Sequence, residues 1–259
     1  MRQRRSTIST PRGERDRAAA GAPQALGGLT VVLACHDDAA RLPDAVRDAT
    51  AAAARGALAH EVVIVDDGSA DDSVAIAGGI AVRDPRVRLV VRAGTLGYGE
   101  TLRSGIAAAR MPWVLLTDAG LRLDARDLED VLPVAASADL VVGWRVLVPG
   151  TLGERAEAAL WNRLLRAAFA LPARDVDCAF RLGRRELLAG LDLRAGGALV
   201  GAELLVKSRA AGARTAEVPI HHAARVAGGR RRAGRRLTTR TLREAYDLRR
   251  AMRRGAAGA

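Results

Sequence analysis

Leu29-Thr30-Val31-Val32-Leu33-Ala34-Cys35-His36-Asp37-Asp38 and, further on, Val63-Ile64-Val65-Asp66-Asp67-Gly68-Ser69 decide the fold. Each begins as a short run of apolar, largely β-branched residues, the signature of a buried strand, and each ends in polar and acidic residues. Between them, residues 41–54 read as a helix and 61–65 as the second strand. Two buried strands joined by a helix are parallel neighbours with a right-handed crossover. Ligands of such sheets sit beyond the carboxyl ends of the strands. Asp37-Asp38 and Asp66-Asp67 both fall at that edge.

Downstream, Asp71 or Asp72 is placed to cap a helix running to 82, and Asp84-Pro85 breaks the chain. A third strand is expected over 87–91. Gly94-Thr95-Leu96-Gly97-Tyr98-Gly99 then forms a glycine-rich loop that opens a helix to 110. A fourth strand over 113–117 ends at Asp118-Ala119-Gly120, Asp124 starts a helix, and 139–143 is a further strand. The pattern then changes to an amphipathic helix over 154–170, a strand over 175–182, a short helix over 184–189, a helix over 201–211 and a last strand over 215–220. The first half alternates β and α and the second decorates the sheet, an α/β architecture with a mixed central sheet.

The hydrophobic fraction of 49% suits a globular chain, and aromatics at 3% leave a core of Ala, Val and Leu. No apolar run reaches the length of a membrane span, and the Arg-rich start lacks the apolar stretch of a signal peptide. Cys35 and Cys178 lie far apart, without metal-ligand spacing, as two reduced thiols of a cytosolic protein would. The net charge of +12 is unevenly placed. Residues 1–20 hold six Arg against two acids and 225–259 twelve Arg against two acids, together +14, so the remainder carries −2. A near-neutral core argues against a specific nucleic-acid interface and puts contact with an anionic surface in the tails. Residues 1–28 therefore read as a disordered basic tail, 29–224 as the folded domain, and 225–259 as a basic tail with an amphipathic helix. That helix carries Leu237, Thr241, Ala245, Leu248 and Met252 in one stripe, widened by Leu242 and Tyr246. The stripe suits either an anionic membrane surface or the chain's own domain.

Several motifs together resemble family 2 glycosyltransferases. Residues 31–38 resemble the family's opening strand, V-V-I-P-A-Y-N-E, and Val65-Asp66-Asp67-Gly68-Ser69 matches its V-D-D-G-S. Leu96-Gly97-Tyr98-Gly99 with Leu102-Arg103-Ser104-Gly105-Ile106 resembles N-x-G-x-G-x-A-L-x-x-G-I. Asp177-Cys178-Ala179-Phe180-Arg181 resembles D-x-x-C-G-F-R of the dolichol- or polyprenyl-phosphate branch. Gly201-Ala202-Glu203 and Glu217-Val218-Pro219-Ile220 match its closing helix and strand. The set runs in order over about 29–224. It implies a GT-A fold, a Rossmann-like sandwich, and transfer of a sugar from a UDP- or GDP-linked donor to an acceptor with inversion. A polyprenyl phosphate at the inner membrane face is the favoured acceptor, and a peripheral cytoplasmic location follows.

By the same resemblance the donor site comprises Ala34, Asp38, Asp66, Asp67, Gly97 and Arg122, with the base held by Asp66 or Asp67 through charge-assisted bonds. Asp118, Asp177, Arg145 and Glu203 form the catalytic set, Asp177 and Glu203 as general base or sugar-hydroxyl contacts. An acceptor phosphate, already anionic, needs no base; a hydroxyl acceptor does. Arg163, Arg166 and Arg181 are further candidates for an acceptor phosphate, and His221-His222 for a diphosphate contact. The family's D-x-D metal motif reads Asp118-Ala119-Gly120 here, leaving Asp118 as the one expected ligand for Mg²⁺ or Mn²⁺. Three explanations stay open: Asp124 substitutes, the Arg122 guanidinium meets the phosphate charge, or catalysis is lost. The last would make the chain a silent nucleotide-sugar-binding or scaffolding protein. A dinucleotide dehydrogenase is disfavoured, because Ala34 to Asp38 contains no glycine for a pyrophosphate to approach.

Overall fold

The computed structural model describes residues 25–120, 123–146, 151–221 and 238–257, with side chains as far as 252. Seven strands form one sheet: β1 (Leu29–Cys35), β2 (His60–Asp66), β3 (Val87–Val91), β4 (Trp113–Asp118), β5 (Leu140–Arg145), β6 (Arg181–Arg184) and β7 (Thr215–Ile220). Their order is β3-β2-β1-β4-β6-β5-β7. All neighbours are parallel except β6, which runs antiparallel to both β4 and β5. The helices are α1 (Leu42–Gly56), α2 (Ser73–Arg83), α3 (Tyr98–Ala108), α4 (Ala125–Ala135), α5 (Leu152–Phe169), α6 (Arg185–Gly190), α7 (Val200–Ala210) and α8 (Thr239–Ala257).

The strand alternation explains the two layers. Leu29, Val31, Leu33 and Cys35 of β1, with Val62 and Ile64 of β2, face the core beneath α1, α2 and α4. Val32, Val63 and Val65 face the other core, beneath α3, α5, α6, α7 and α8. A period of two with both faces covered is why these strands read as continuous apolar runs. The chain winds outward from β1 through β2 to β3, then returns to β4 on the other side of β1. That reversal opens a crevice beyond the carboxyl ends of β1 and β4. In register, Cys35 pairs with Asp66 and Ala34 with Asp118, so the acidic strand ends are collected at one edge.

Three expectations shift. Residues 175–180 are not a strand; β6 has only four residues. The Asp175 carboxylate accepts the Asp177 N–H at 3.2 Å, which diverts that backbone from a ladder. The folded unit also begins before 29, because Leu26 is buried and bridges to Ala57. At the other end α8 docks on its own domain: Thr241 and Leu248 are buried, and Ala245 and Met252 pack against the second core. Leu242 and Tyr246 stay exposed. Leu237, most of the N-terminal tail (1–24) and the 222–237 segment lie outside the described residues. Among the described residues no helix is long and apolar enough to cross a membrane.

Close packing of α3 on β1 depends on Gly105, where a Cβ would stand 2.1 Å from Val32 Cγ1. Val32 is fully buried and cannot yield. Gly105→Val is therefore expected to lower the unfolding free energy by about 2–3 kcal/mol, read from urea denaturation. An unchanged midpoint would mean that α3 slides freely on the sheet.

Candidate active site

The ends of β1 and β2 are stitched together by side chains. Asp37 adopts φ 51, a left-handed conformation that Asp tolerates better than most residues. Its N–H donates to Ser69 Oγ at 2.9 Å, and its Oδ1 accepts the Ala70 N–H at 2.8 Å. The Asp38 N–H donates to Ser73 Oγ at 2.9 Å, and Asp38 itself pairs with Arg41. Asp71 accepts N–H groups from Ala39 and Ser73, whereas Asp72, at the N-cap of α2, makes no side-chain cap bond.

The two aspartates of V-D-D-G-S have different jobs. Asp66 closes its own turn, accepting the Ser69 N–H at 3.0 Å and the Ser69 hydroxyl. Asp67 reaches across to the glycine-rich loop, accepting the Leu96 N–H at 3.0 Å and the Gly97 N–H at 2.9 Å. Arg92 Nε lies 3.7 Å from the same carboxylate. The loop needs its glycines. Gly97 has φ 104, and a Cβ at Gly99 would stand 1.9 Å from the Ala195 carbonyl oxygen. The structure thus gathers Ala34, Asp38, Asp66, Asp67 and Gly97 at one edge; Arg122 lies outside the described residues.

Asp118 ends β4 beside this group, its Oδ1 accepting the Gly120 N–H at 3.0 Å. Asp124 is the N-cap of α4, its Oδ1 accepting the Arg126 N–H at 2.9 Å, which ties it to the helix start. Among the described residues no group of three His, Cys, Asp or Glu side chains is placed to hold a metal ion. A hard divalent cation needs several oxygens, and the single carboxylate of Asp118 does not fit one by itself.

On the other side of the edge, Arg145 ends β5 and is almost wholly buried. Asp175 clasps it with two bonds, Nε to Oδ2 at 2.6 Å and Nη2 to Oδ1 at 2.8 Å. Burial opposes the Arg145 charge, but the Asp175 bonds outweigh it and raise the guanidinium's affinity for its proton. Burial likewise pushes the Asp175 carboxyl up, and Arg145 more than reverses this, leaving it below the usual carboxylate range. Asn162 of α5 donates to Asp175 at 3.0 Å, and its Oδ1 accepts the Val176 N–H at 2.8 Å. Asp177 stands 3.8 Å from Arg145 Nη2.

These groups back a cavity of about 800 Å³ between α5 and residues 170–175. Arg155, Arg163, Arg166 and Arg174 line it, and Arg174 stacks on Trp144 at 5.0 Å from the ring centroid. Among the described lining residues the one carboxylate, Asp175, is already committed to Arg145. Of the arginines read from sequence, Arg163 and Arg166 line this cavity. Arg181 does not: it is buried and donates to the Val176 carbonyl. Arg155 and Arg174 are additions that depend on which face of α5 is outward and on the loop path.

Glu203 differs most from expectation. Its carboxylate accepts the N–H groups of Arg194 at 2.9 Å and Ala195 at 2.7 Å, and pairs with Lys207 at 2.8 Å. These bonds hold the 194–197 loop. That loop in turn meets the glycine-rich loop, since the Gly99 N–H donates to the Gly196 carbonyl at 3.0 Å. From α8, Glu244 accepts the Gly196 N–H at 3.1 Å. The His221 N–H donates to Asp127 at 2.9 Å; His222 lies outside the described residues. Burial pushes the Cys35 and Cys178 thiols up to about 12, so neither is a nucleophile.

The family model described as "Glycosyl transferase family 2" matches residues 30–191. The chain is 34% identical over 210 residues to "Uncharacterized glycosyltransferase Rv0539" of Mycobacterium tuberculosis (strain ATCC 25618 / H37Rv), covering 77% of this chain and 87% of that protein. It is 25% identical over 208 residues to undecaprenyl-phosphate 4-deoxy-4-formamido-L-arabinose transferase of Enterobacter sp. (strain 638), with 79% of this chain and 62% of that one covered. In three dimensions it resembles glucosyl-3-phosphoglycerate synthase from M. tuberculosis, solved with Mn²⁺, UDP and phosphoglyceric acid. The TM-score is 0.62 at 21% identity, over 89% of this chain and 78% of the other. The likeness extends to the GT-A fold.

Proposed function

This chain belongs to glycosyltransferase family 2 and transfers a sugar from a nucleotide-sugar donor; from that premise we propose that its acceptor is a lipid-borne phosphate, in the manner of a polyprenyl phosphate. The observation that carries the proposal is the arginine-lined cavity in which the one carboxylate among the described lining residues is neutralised. Three guanidinium groups, Arg155, Arg163 and Arg166, with Arg174 beside the buried Glu217 carboxylate at 3.9 Å, suit a phosphate, which guanidinium binds in bidentate fashion. A phosphate oxygen is also a nucleophile without deprotonation. That agrees with a site in which Asp175 is clasped by Arg145 and Glu203 holds a loop. A neutral hydroxyl acceptor would require a carboxylate to take its proton, a part that would fall to Asp177 beside Arg145.

In this reading the donor's nucleotide lies over Ala34, Asp38, Asp66, Asp67 and Gly97. The UDP or GDP leaving group lies near Asp118, and the acceptor approaches from the Arg145 side. The acceptor oxygen bonds to the anomeric carbon as the carbon–oxygen bond to the diphosphate breaks, and attack from the opposite face inverts the centre. Arg145 and Asp177 flank that approach. Mg²⁺ or Mn²⁺, implied by the family resemblance, is poorly matched by the described ligands; Arg122 is proposed to meet the diphosphate charge. The silent scaffold suggested by Gly120 gains no support. The proposed location is the cytoplasmic face of a membrane, held peripherally.

The test is nucleotide release from UDP-, GDP- and dTDP-sugars with a polyprenyl phosphate, a polyprenol, or neither. Release is expected with one donor base and to depend on the phosphate. Equal release with the neutral polyprenol would overturn the acceptor assignment.

A further inference from the structure

The outward face of α5 is apolar where a solvated helix should be charged. Its inner row, Ala158, Trp161, Leu165 and Phe169, is buried in the second core. On the opposite side Leu152, Ala156, Leu160 and Leu164 recur every four residues, forming one stripe. The three leucines are 84%, 59% and 44% exposed. The row on one side is Ala159, Arg163 and Ala167, also exposed, and Gly153 and Glu157 border the stripe on the other, so Arg163 and Glu157 are the charges beside the leucines. Charge collects instead along the flank that meets the cavity, as Arg155, Arg163, Arg166 and Arg174. The acids of the helix are Glu154, which closes the capping box with Thr151, and Glu157.

We infer that this face of α5 rests on the surface of an anionic bilayer, its leucines at the boundary between headgroups and acyl chains and its arginine flank on lipid phosphates. The inference deepens the acceptor reading and rests on it for the lipid that the surface delivers: a phosphate lying in the bilayer plane would enter the cavity from its own headgroup layer. Charge complementarity selects this occupant. Two copies joined through α5 would bring their arginine flanks together, with Glu157 as the main exposed acid to offset them. An anionic surface offsets them all. α8 belongs to the same layer and, like α5, packs on α7. It too exposes apolar side chains, Leu242 and Tyr246, beside the exposed Arg243, Arg249 and Arg250.

The experiment is co-sedimentation of the full chain with vesicles of phosphatidylglycerol in phosphatidylcholine, and of phosphatidylcholine alone, with no acceptor present. Binding is expected to need the anionic lipid. In the variant Leu160→Glu/Leu164→Glu it is expected to fall about tenfold or more, as two charges are forced into the interface. Thermal shift by the donor nucleotide, retained in the variant, shows that it is folded. Undiminished vesicle binding by the variant would overturn the inference. So would binding lost only in Leu242→Ser/Tyr246→Ser, or a dimer in sedimentation that the α5 variant dissolves. Transfer to a detergent-dispersed prenyl phosphate needs no bilayer, and the α5 variant is expected to keep it. A wild-type chain that binds vesicles yet uses no prenyl phosphate would sink the acceptor reading while leaving the surface in place.

Discussion

Asp175→Asn is expected to lower the unfolding free energy by about 3–5 kcal/mol and to remove transfer activity. Asp175 makes two bonds to the Arg145 guanidinium, at 2.6 and 2.8 Å, in a place where both side chains are 9% exposed. Asparagine keeps the shape but neutralises the acid and turns one acceptor into a donor, so Arg145 would be left as a buried, poorly compensated cation. Asp177, 3.8 Å from Arg145 Nη2, offers partial compensation. Urea denaturation measures the loss, and a loss below about 1 kcal/mol, the scale of an exposed pair, would show that solvent reaches it. The double variant Arg145→Met/Asp175→Asn removes the stranded charge and is expected to be more stable than Asp175→Asn alone, a coupling that a double-mutant cycle isolates. Burial raises the Asp175 carboxyl but Arg145 lowers it further. Its stabilisation is therefore complete above the unfolded carboxylate range, near pH ~4, and is lost as the pH falls through the lower folded value. The acid limb of the stability curve should be shallower in Asp175→Asn than in the wild type.

The sheet was legible because its strands are buried on both faces, so Val31 to Leu33 and Val62 to Val65 stand out as runs without any knowledge of their partners. Helix starts were legible where a local cap is present, as at Asp124. What the residues alone leave open is which carboxylate is engaged by a distant partner. Asp66 and Asp67 are adjacent, yet one binds Ser69 and the other bonds a loop about thirty residues away. Glu203 looks like a catalytic acid until the N–H groups of Arg194 and Ala195 are found on its oxygens. Asp175 carries no signal of its own in the sequence, because its importance comes from Arg145, 30 positions earlier. The stripe Thr241, Ala245, Leu248 and Met252 predicted an amphipathic helix, but a stripe specifies only that something apolar covers it. Here that is the chain's own second core.

Sugar transfer that survives EDTA is the expected behaviour of this sequence, and Arg122→Ala is expected to lower kcat by about 10²-fold or more. Negative charge builds on the diphosphate as its bond to the sugar breaks, and something cationic must meet it. A metal ion needs several oxygens; the described edge supplies Asp118, one of whose oxygens already accepts the Gly120 N–H. Asp124 is occupied at the start of α4, and Arg41 and Arg92 face the acids Asp38 and Asp67. Arg122 lies two positions beyond Gly120 in sequence and needs no coordination sphere, because a guanidinium carries its charge and its donors together. Gly120→Asp supplies the missing carboxylate, and with the donor nucleotide present it is expected to strengthen Mn²⁺ binding, read from the loss of the free-ion electron paramagnetic resonance signal. In that variant Mn²⁺ should also rescue part of the activity lost with Arg122→Ala. Strict dependence of the natural sequence on Mg²⁺ or Mn²⁺, with Arg122→Ala near full activity, would reverse the assignment: an ion held through Asp118 would then carry the charge, and Arg122 would be a bystander.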